Sequence, residues 1–432
     1  MVTAYWIVFH NEKVTNMKLQ KIKIWLCVAA VLCTALCGCT LKEINRPSEV
    51  ATVEETSGVP EEASSTTDDS SQTGLQTEAL TTEAVPEIEE DVVSDIMSDM
   101  TLREKICQMM FVTPESITGT DNVTVAGDAT KQALEQYPVG GIVYFAENLE
   151  SREQTMEMIA NSQSYSEIGL FIAVDEEGGT VNRVMDRLGT TYIDSMYLYK
   201  DEGPEKAYDN ACTIATDIAS LGFNVDFAPV ADVWSNPSNT VIGERAYSDD
   251  FAESATLVEK AVKGFHDGGV MTSLKHFPGH GDTAEDSHEG NAYTYKTKAQ
   301  IMDDEMQPFK AGIAAGSDFV MVGHITAPDL DDLPATLSYE ITTKLLREEL
   351  GFTGIAITDS MAMGSIVYNY GAGEAAAMAV KAGIDMILAP SDVEAAVLAI
   401  ESAVENGEIN EDRIDQSVYR ILTLKRQWGL LN

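Results

Sequence analysis

The sequence predicts a (β/α)8 barrel over residues 91–432, preceded by a signal peptide and an unstructured linker. Three observations carry that fold class. Short β-branched runs alternate with helical stretches beyond about Ile88, eight such runs fit into the roughly 340 residues that follow, and charged side chains gather directly after them. The expected strands are 107–112, 141–145, 170–174, 223–229, 270–274, 319–322, 355–357 and 386–388. Amphipathic stretches at 208–221, 253–268, 338–350 and 374–382 lie between them as crossover helices. Gly222, Gly268, Gly316, Gly351 and Gly383 each stand shortly before the next strand, where a helix ends and the chain must turn. A doubly wound open sheet is the competing architecture, but no glycine-rich phosphate fingerprint follows the first strand.

Composition sets the outer bounds. A chain of 432 residues with 44% apolar and 23% charged residues can bury a sizeable core. The formal net charge of −42 argues against a nucleic-acid partner, because binding phosphates needs an excess of Lys and Arg. Four of the six cysteines (Cys27, Cys33, Cys37, Cys39) crowd into one apolar stretch, leaving Cys107 and Cys212. Two isolated cysteines make neither a disulfide framework nor a metal knuckle, and both are expected to be buried, inert thiols.

Residues 1–38 read as a signal peptide. Lys18, Lys21 and Lys23 precede the apolar run from Ile24 to Leu36, which is short of the roughly 20 residues a membrane span requires. Leu36-Cys37-Gly38-Cys39 resembles the bacterial lipobox, which makes Cys39 the acylated first residue of the mature protein and anchors it outside the cytoplasm. Trp6, His10 and Glu12 do not suit a leader, so Met17 is the more natural start. Residues 39–90 are rich in Ser, Thr and Glu. From Thr40 to Met100, 16 Asp and Glu stand against Lys42 and Arg46, a net of −14. With nothing periodic and apolar, this segment reads as a disordered tether.

In a barrel of this type the site lies at the C-terminal strand ends. Asp175-Glu176-Glu177-Gly178-Gly179 follows the third expected strand, Asp232 the fourth, and Lys275-His276-Phe277-Pro278-Gly279-His280-Gly281-Asp282 the fifth. His324 and Asp359 end the sixth and seventh. Two mechanisms fit this inventory. A metal-dependent hydrolase would draw on His276, His280, His288, Asp286 and Asp359, but Pro278 and two glycines break the helix that would align an HxxxH pair. Glycoside cleavage needs a nucleophilic carboxylate and a proton donor flanking the anomeric carbon. Asp359, on a rigid strand with no basic sequence neighbour, suits the first role. His288 suits the second, because Asp286 two residues back can hydrogen-bond its imidazole and raise its basicity. The glycine-rich approach to this loop allows it to close over a substrate.

The Lys275–Thr283 block, with Asp286-Ser287-His288 after it, resembles the hallmark of glycoside hydrolase family 3 β-N-acetylglucosaminidases. Val174–Gly179, Ile242-Gly243-Glu244-Arg245-Ala246-Tyr247 and Ile357–Met361 match other blocks of that family, in the same order. The resemblance covers about Ile96 to Leu431. It implies that Asp359 attacks the anomeric carbon and that His288, oriented by Asp286, is the acid and base. It implies that Asp175, Arg183, Arg245, Lys275 and His276 hold the sugar, with no cofactor and no metal. The family's Gly-Gly-Arg is Gly178-Gly179-Thr180 here, which predicts altered contacts at the pocket edge.

The expected function is an exo-acting retaining β-N-acetylglucosaminidase on peptidoglycan or chitin fragments, monomeric, with a carbohydrate substrate and the membrane as partners. A β-glucosidase or β-xylosidase of the same fold, or a non-catalytic sugar-binding lipoprotein, are the alternatives. An imidazole donor repels an anionic acceptor less than a carboxylate does, so partial phosphorolysis is a further expectation.

Overall fold

The computed structural model describes residues 92–431 apart from Glu289. The signal peptide, Cys39 and the tether expected over residues 1–90 lie outside the described residues. Val85–Asn432 forms one compact unit. Its eight barrel strands are β1 (Met110–Val112), β2 (Gly141–Val143), β3 (Phe171–Val174), β4 (Val225–Asp226), β5 (Met271–Phe277), β6 (Phe319–Val322), β7 (Ile355–Thr358) and β8 (Ile387–Leu388). Neighbours run in the order β7-β6-β5-β4-β3-β2-β1-β8, all parallel. A parallel bridge between Ile357 and Met386 links the two ends of the sheet, so the strands curl into a nearly closed (β/α)8 ring.

The expected strands are present with shifted ends. Helix Leu102–Gln108 takes Cys107 and Gln108 out of the first strand, because the short, mostly apolar stretch Ile106–Met110 suits a buried helix end as well as a strand. Thr101 caps that helix reciprocally with Glu104, which fixes its start. β4 is shorter than expected, while β5 runs on to Phe277 and so carries Lys275 and His276 within a strand. Cys107 is buried and Cys212 only partly so. Burial pushes the Cys107 thiol up to about 12.

Helices Pro204–Ala219 and Phe251–Asp267 pack against each other along glycines. A Cβ on Gly264 would stand 2.3 Å from the Tyr208 carbonyl oxygen, and one on Gly268 2.4 Å from the Ala215 Cβ. Inside the barrel, Phe111 packs on Phe171 and Phe227 with ring centroids 6.4 and 5.4 Å away, and Phe171 meets Phe319 edge-on at 5.3 Å. Each of these buried rings contributes about 1.5–3 kcal/mol relative to exposure.

The N-terminal end of the barrel is closed by the C-terminal helix Glu411–Gln427. Asp385, fully buried before β8, binds Arg347, Arg413 and Arg420. Asp318, before β6, accepts from the Trp428 indole at 3.0 Å and pairs with His266 at 2.8 Å. Buried Lys425 lies 5.1 Å from the Phe171 ring centroid and donates to Gln108 at 2.9 Å, and burial lowers its pKa to about 7. Polar groups at this end tie helix to sheet. Those at the opposite end surround an open mouth.

Candidate active site

The segment after β3 is extended, so its side chains alternate. Asp175 and Glu177 both reach the Lys275 ammonium, at 2.7 and 2.5 Å. Glu176 points the other way and accepts the backbone N–H groups of Arg183, Val184 and Met185 at 2.6, 2.8 and 2.9 Å, capping the short helix Val184–Leu188. Gly178 and Gly179 then turn the chain at φ 87° and 60°. A Cβ on Gly179 would stand 2.5 Å from the Ser195 Cα, so no side chain fits there.

Arg245, at the end of the turn Gly243–Arg245, grips Glu177 with two parallel bonds of 2.9 and 2.8 Å. Burial alone would raise the Glu177 pKa, but the Arg245 and Lys275 cations outweigh it and hold the carboxyl down to about 2. Burial likewise disfavours the Lys275 ammonium, yet Asp175 and Glu177 keep its pKa above the usual value. Arg183 lies half-buried at the start of its helix, and its side chain makes no hydrogen bond or ion pair with the described residues.

Asp232, fully buried beyond β4, organises the end of β5. It accepts the His276 ring Nδ1 at 2.6 Å, the His276 backbone N–H at 3.0 Å and the His280 backbone N–H at 2.6 Å. These partners overcome the cost of its burial and keep its pKa below the ordinary value. The Lys275–His276 and Phe277–Pro278 peptides are cis. Gly281 is pressed so close to the Val233 carbonyl, 1.7 Å from where its Cβ would be, that only glycine fits. Both His280 nitrogens are engaged, Nδ1 by the Thr283 hydroxyl at 2.7 Å and Nε2 by the Ser287 hydroxyl at 3.0 Å. That arrangement leaves the HxxxH pair without a free His280 lone pair for a metal. Among the described residues, no three His, Cys, Asp or Glu side chains are grouped to hold one.

The loop that follows brings His288 to the mouth. Asp286 accepts the His288 Nδ1 at 2.8 Å and its backbone N–H at 2.9 Å, while the imidazole stays 64% exposed and open to a substrate. Burial works against the Asp286 charge, but the His288 amide and ring prevail and lower its pKa. The loop docks on the segment after β7: Gly364 N–H donates to the His288 carbonyl at 3.2 Å, and Ser365 N–H to the Ser287 carbonyl at 3.3 Å. Asp359 heads that same segment, its own N–H bonded to the Val322 carbonyl at 2.9 Å. The strand-end carboxylate and the loop imidazole therefore share one mouth of the barrel.

Asp359 is half-buried and accepts the Ser360 N–H at 2.7 Å. His324 holds the Ser360 turn from behind: its Nε2 donates to the Ser360 carbonyl at 2.9 Å, and its Nδ1 receives the Thr336 hydroxyl proton at 2.6 Å. Burial would raise the Asp359 pKa, but His276 and His324, the Ser360 amide and His288 bring it below the ordinary value. Most other carboxylates here are committed: Asp175 and Glu177 to Lys275, Asp232 to His276, Asp286 to His288, Glu176 to three backbone amides, and Asp282 to the Thr294 hydroxyl. Among the described residues, Asp359 has no cationic partner in direct contact. Its second oxygen is left for chemistry.

Asp175, Lys275 and Arg245 thus meet through Glu177, Asp286 and His288 dock on the segment headed by Asp359, His276 is anchored by Asp232, and Arg183 forms no hydrogen bond or ion pair with any of the others. Glu177, Asp232 and His324 were given no role by sequence reasoning, and His280 only that of a metal ligand, although each lies at or shortly after a strand end. Arg245 and Lys275 are first of all partners of Glu177. Residues 101–424 match the family model for the glycosyl hydrolase family 3 N terminal domain. The chain belongs to glycosyl hydrolase family 3.

This family 3 chain is 35% identical over 324 residues to the beta-hexosaminidase A of Pseudoalteromonas piscicida, covering 68% of the present chain and 54% of that one. The chain thus spans about half the length of that relative. It is 34% identical over 277 residues to the beta-hexosaminidase of Idiomarina loihiensis, covering 63% of this chain and 82% of that one. The solved family 3 beta-N-acetylglucosaminidase from a Paenibacillus species superposes with a TM-score of 0.72 at 38% identity, covering 77% of this chain and 63% of that one.

Proposed function

We propose that this family 3 chain is a retaining exo-β-N-acetylglucosaminidase acting on terminal GlcNAc of peptidoglycan or chitin fragments. One observation carries the reading: Asp359, at the end of β7, has a lowered pKa and no cationic partner in direct contact among the described residues, and the Asp286–His288 dyad sits on a loop bonded to the segment that Asp359 heads. A carboxylate oxygen of Asp359 attacks C1 of the sugar. As the C1–O bond breaks, the leaving oxygen takes the proton from His288 Nε2, while Asp286 holds the Nδ1–H and stabilises the cationic ring. Water then attacks C1 and gives its proton to His288, and the Asp359–C1 bond breaks with its electron pair returning to the carboxylate. Two displacements at C1 restore the original configuration.

Asp175, Lys275, His276, Arg245 and Arg183 hold the sugar in this scheme. Lys275 has three donors and gives two to Asp175 and Glu177, which leaves one for a sugar hydroxyl. Asp232 holds the His276 ring through Nδ1 and leaves Nε2 to meet a sugar hydroxyl. The N-acetyl preference is supported by the Asp286-Ser287-His288 loop and by the names of the relatives.

The test is hydrolysis of a chromogenic β-GlcNAc glycoside beside the β-glucoside and β-xyloside, with and without chelator. Asp359→Ala should lose several orders of magnitude in rate while still binding GlcNAc. Preference for glucose or xylose, or equal rates in wild type and Asp359→Ala, would overturn the assignment. Formation of sugar 1-phosphate in phosphate buffer would identify phosphate as an acceptor beside water. Acylation at Cys39, with extracytoplasmic anchoring, is part of the proposal: Cys39→Ala should release the protein from membranes and abolish fatty-acid labelling.

A further inference from the structure

The loop that carries His288 continues into a cluster of exposed tyrosines. Tyr368 and Tyr295 are 76% and 78% exposed, far more than aromatic rings usually are in a folded domain. Tyr295 stacks on Tyr293 with ring planes 9° apart and centroids 6.0 Å apart. The ring edge of Tyr368 lies 2.7 Å from where a Cβ on Gly364 would be, and so does the His288 carbonyl oxygen. Asn369 donates to Asn291 at 3.1 Å, and the Asn291 amide lies 3.5 Å from the Tyr293 hydroxyl. Tyr368 thus stands beside the His288 carbonyl, and its neighbour Asn369 leads through Asn291 to the stacked pair Tyr293–Tyr295.

We propose that Tyr368, Tyr295 and Tyr293, with the amides of Asn291 and Asn369 between them, form the subsite for the leaving group, a platform for the pyranose rings beyond the scissile bond. The inference rests on the glycosidase reading above. The acid that protonates the departing oxygen must stand on the leaving-group side of C1, so the surface that continues outward from His288 is the one the departing sugar meets. The cluster of Asp175, Glu177, Lys275 and Arg245 is instead made of paired charges suited to the hydroxyls of the sugar being transferred. A pyranose ring has an apolar face of C–H groups and a polar rim. Flat tyrosine faces match the first and carboxamides the second. A platform of this kind favours oligosaccharides over glycosides with a small leaving group.

The experiment compares kcat/KM for chitotriose with kcat/KM for methyl β-GlcNAc, which has no ring on the leaving side. For Tyr368→Ala/Tyr295→Ala the ratio of the two should fall about tenfold, the loss of two ring contacts. Tyr368→Phe, which keeps the ring, should retain most of the Tyr368 share of that ratio. Far-UV circular dichroism checks that the variants fold. A ratio unchanged in the double variant overturns the subsite. Should wild type cleave neither substrate, the glycosidase reading fails by itself, and calorimetric binding of chitotriose judges the platform separately. Equal affinity in wild type and the double variant would then refute it.

Discussion

Replacing Glu177 by glutamine keeps the side-chain volume and removes one negative charge from a cluster where it meets both Arg245 and Lys275 out of contact with water. Two routes give the cost. The folded-state pKa of about 2, against an ordinary 4.5, corresponds to about 3 kcal/mol at 1.36 kcal/mol per unit. Breaking one side of a buried ion pair costs about 3–5 kcal/mol, because the partner's charge is left uncompensated. Lys275 retains Asp175, whereas Arg245 keeps only the Val241 carbonyl, so most of the damage falls on Arg245. The sign with pH follows from the depressed pKa. The stabilisation is complete above pH 4.5 and is lost as the pH falls through about 2. Urea unfolding followed by circular dichroism should therefore show Glu177→Gln less stable by about 3 kcal/mol at pH 7, with the gap narrowing between pH 4.5 and 2. A variant within about 1 kcal/mol of wild type at pH 7, the value of a surface pair, would refute the reasoning, as would a gap independent of pH.

Asp286→Asn should lower kcat by about 10²–10³ on alkyl glycosides and less on nitrophenyl ones, whose departure needs little proton transfer; equal losses on both would contradict the assignment of the acid. Ser287→Ala removes the 3.0 Å bond from His280 and should cost about fivefold in kcat, the worth of one hydrogen bond, with KM nearly unchanged. Gly364→Ala places a methyl 2.7 Å from the His288 carbonyl and should depress kcat about tenfold or more by displacing the loop, with the melting temperature little changed. Because the ionised form of Asp359 is the reactive one and its pKa is lowered, the acid limb of kcat/KM that it sets should fall below pH 3.8, read from a pH–rate profile.

The ring of strands was legible because most are short apolar runs buried on both faces, and several of them, β3, β6 and β7, run straight into a polar or charged tip. Its edges were less so. The stretch Ile106–Met110 suits a helix end or a strand start equally well, and pairing with β8 through Met110 decides the matter. The nearness of Asp359, His288 and Asp286 could be anticipated because the last two are close in sequence and the first ends a strand. The role of Glu177 was within reach: in an extended chain Asp175 and Glu177 share a side and Glu176 does not, which sorts the three carboxylates. Asp232 was not. Its partner His276 lies 44 residues away, and only the barrel's curvature brings the two together.

The mouth contains two kinds of negative charge, and their difference explains how one carboxylate can be both ionised and reactive. A cation in direct contact keeps a buried carboxylate charged, as Lys275 and Arg245 do for Glu177, but it also occupies the lone pairs that would attack carbon. Asp359 is kept charged by groups that mostly do not touch it: the imidazoles of His276, His324 and His288 act through space, and a single amide takes one oxygen. Those imidazoles are themselves anchored elsewhere, His276 to Asp232, His324 to Thr336 and Ser360, and His288 to Asp286. None can swing in to form a direct pair without giving up a bond it already has. Fixing the source of the field at a distance leaves the second oxygen of Asp359 ionised and without a hydrogen-bond partner among the described residues, as the proposed attack on C1 requires.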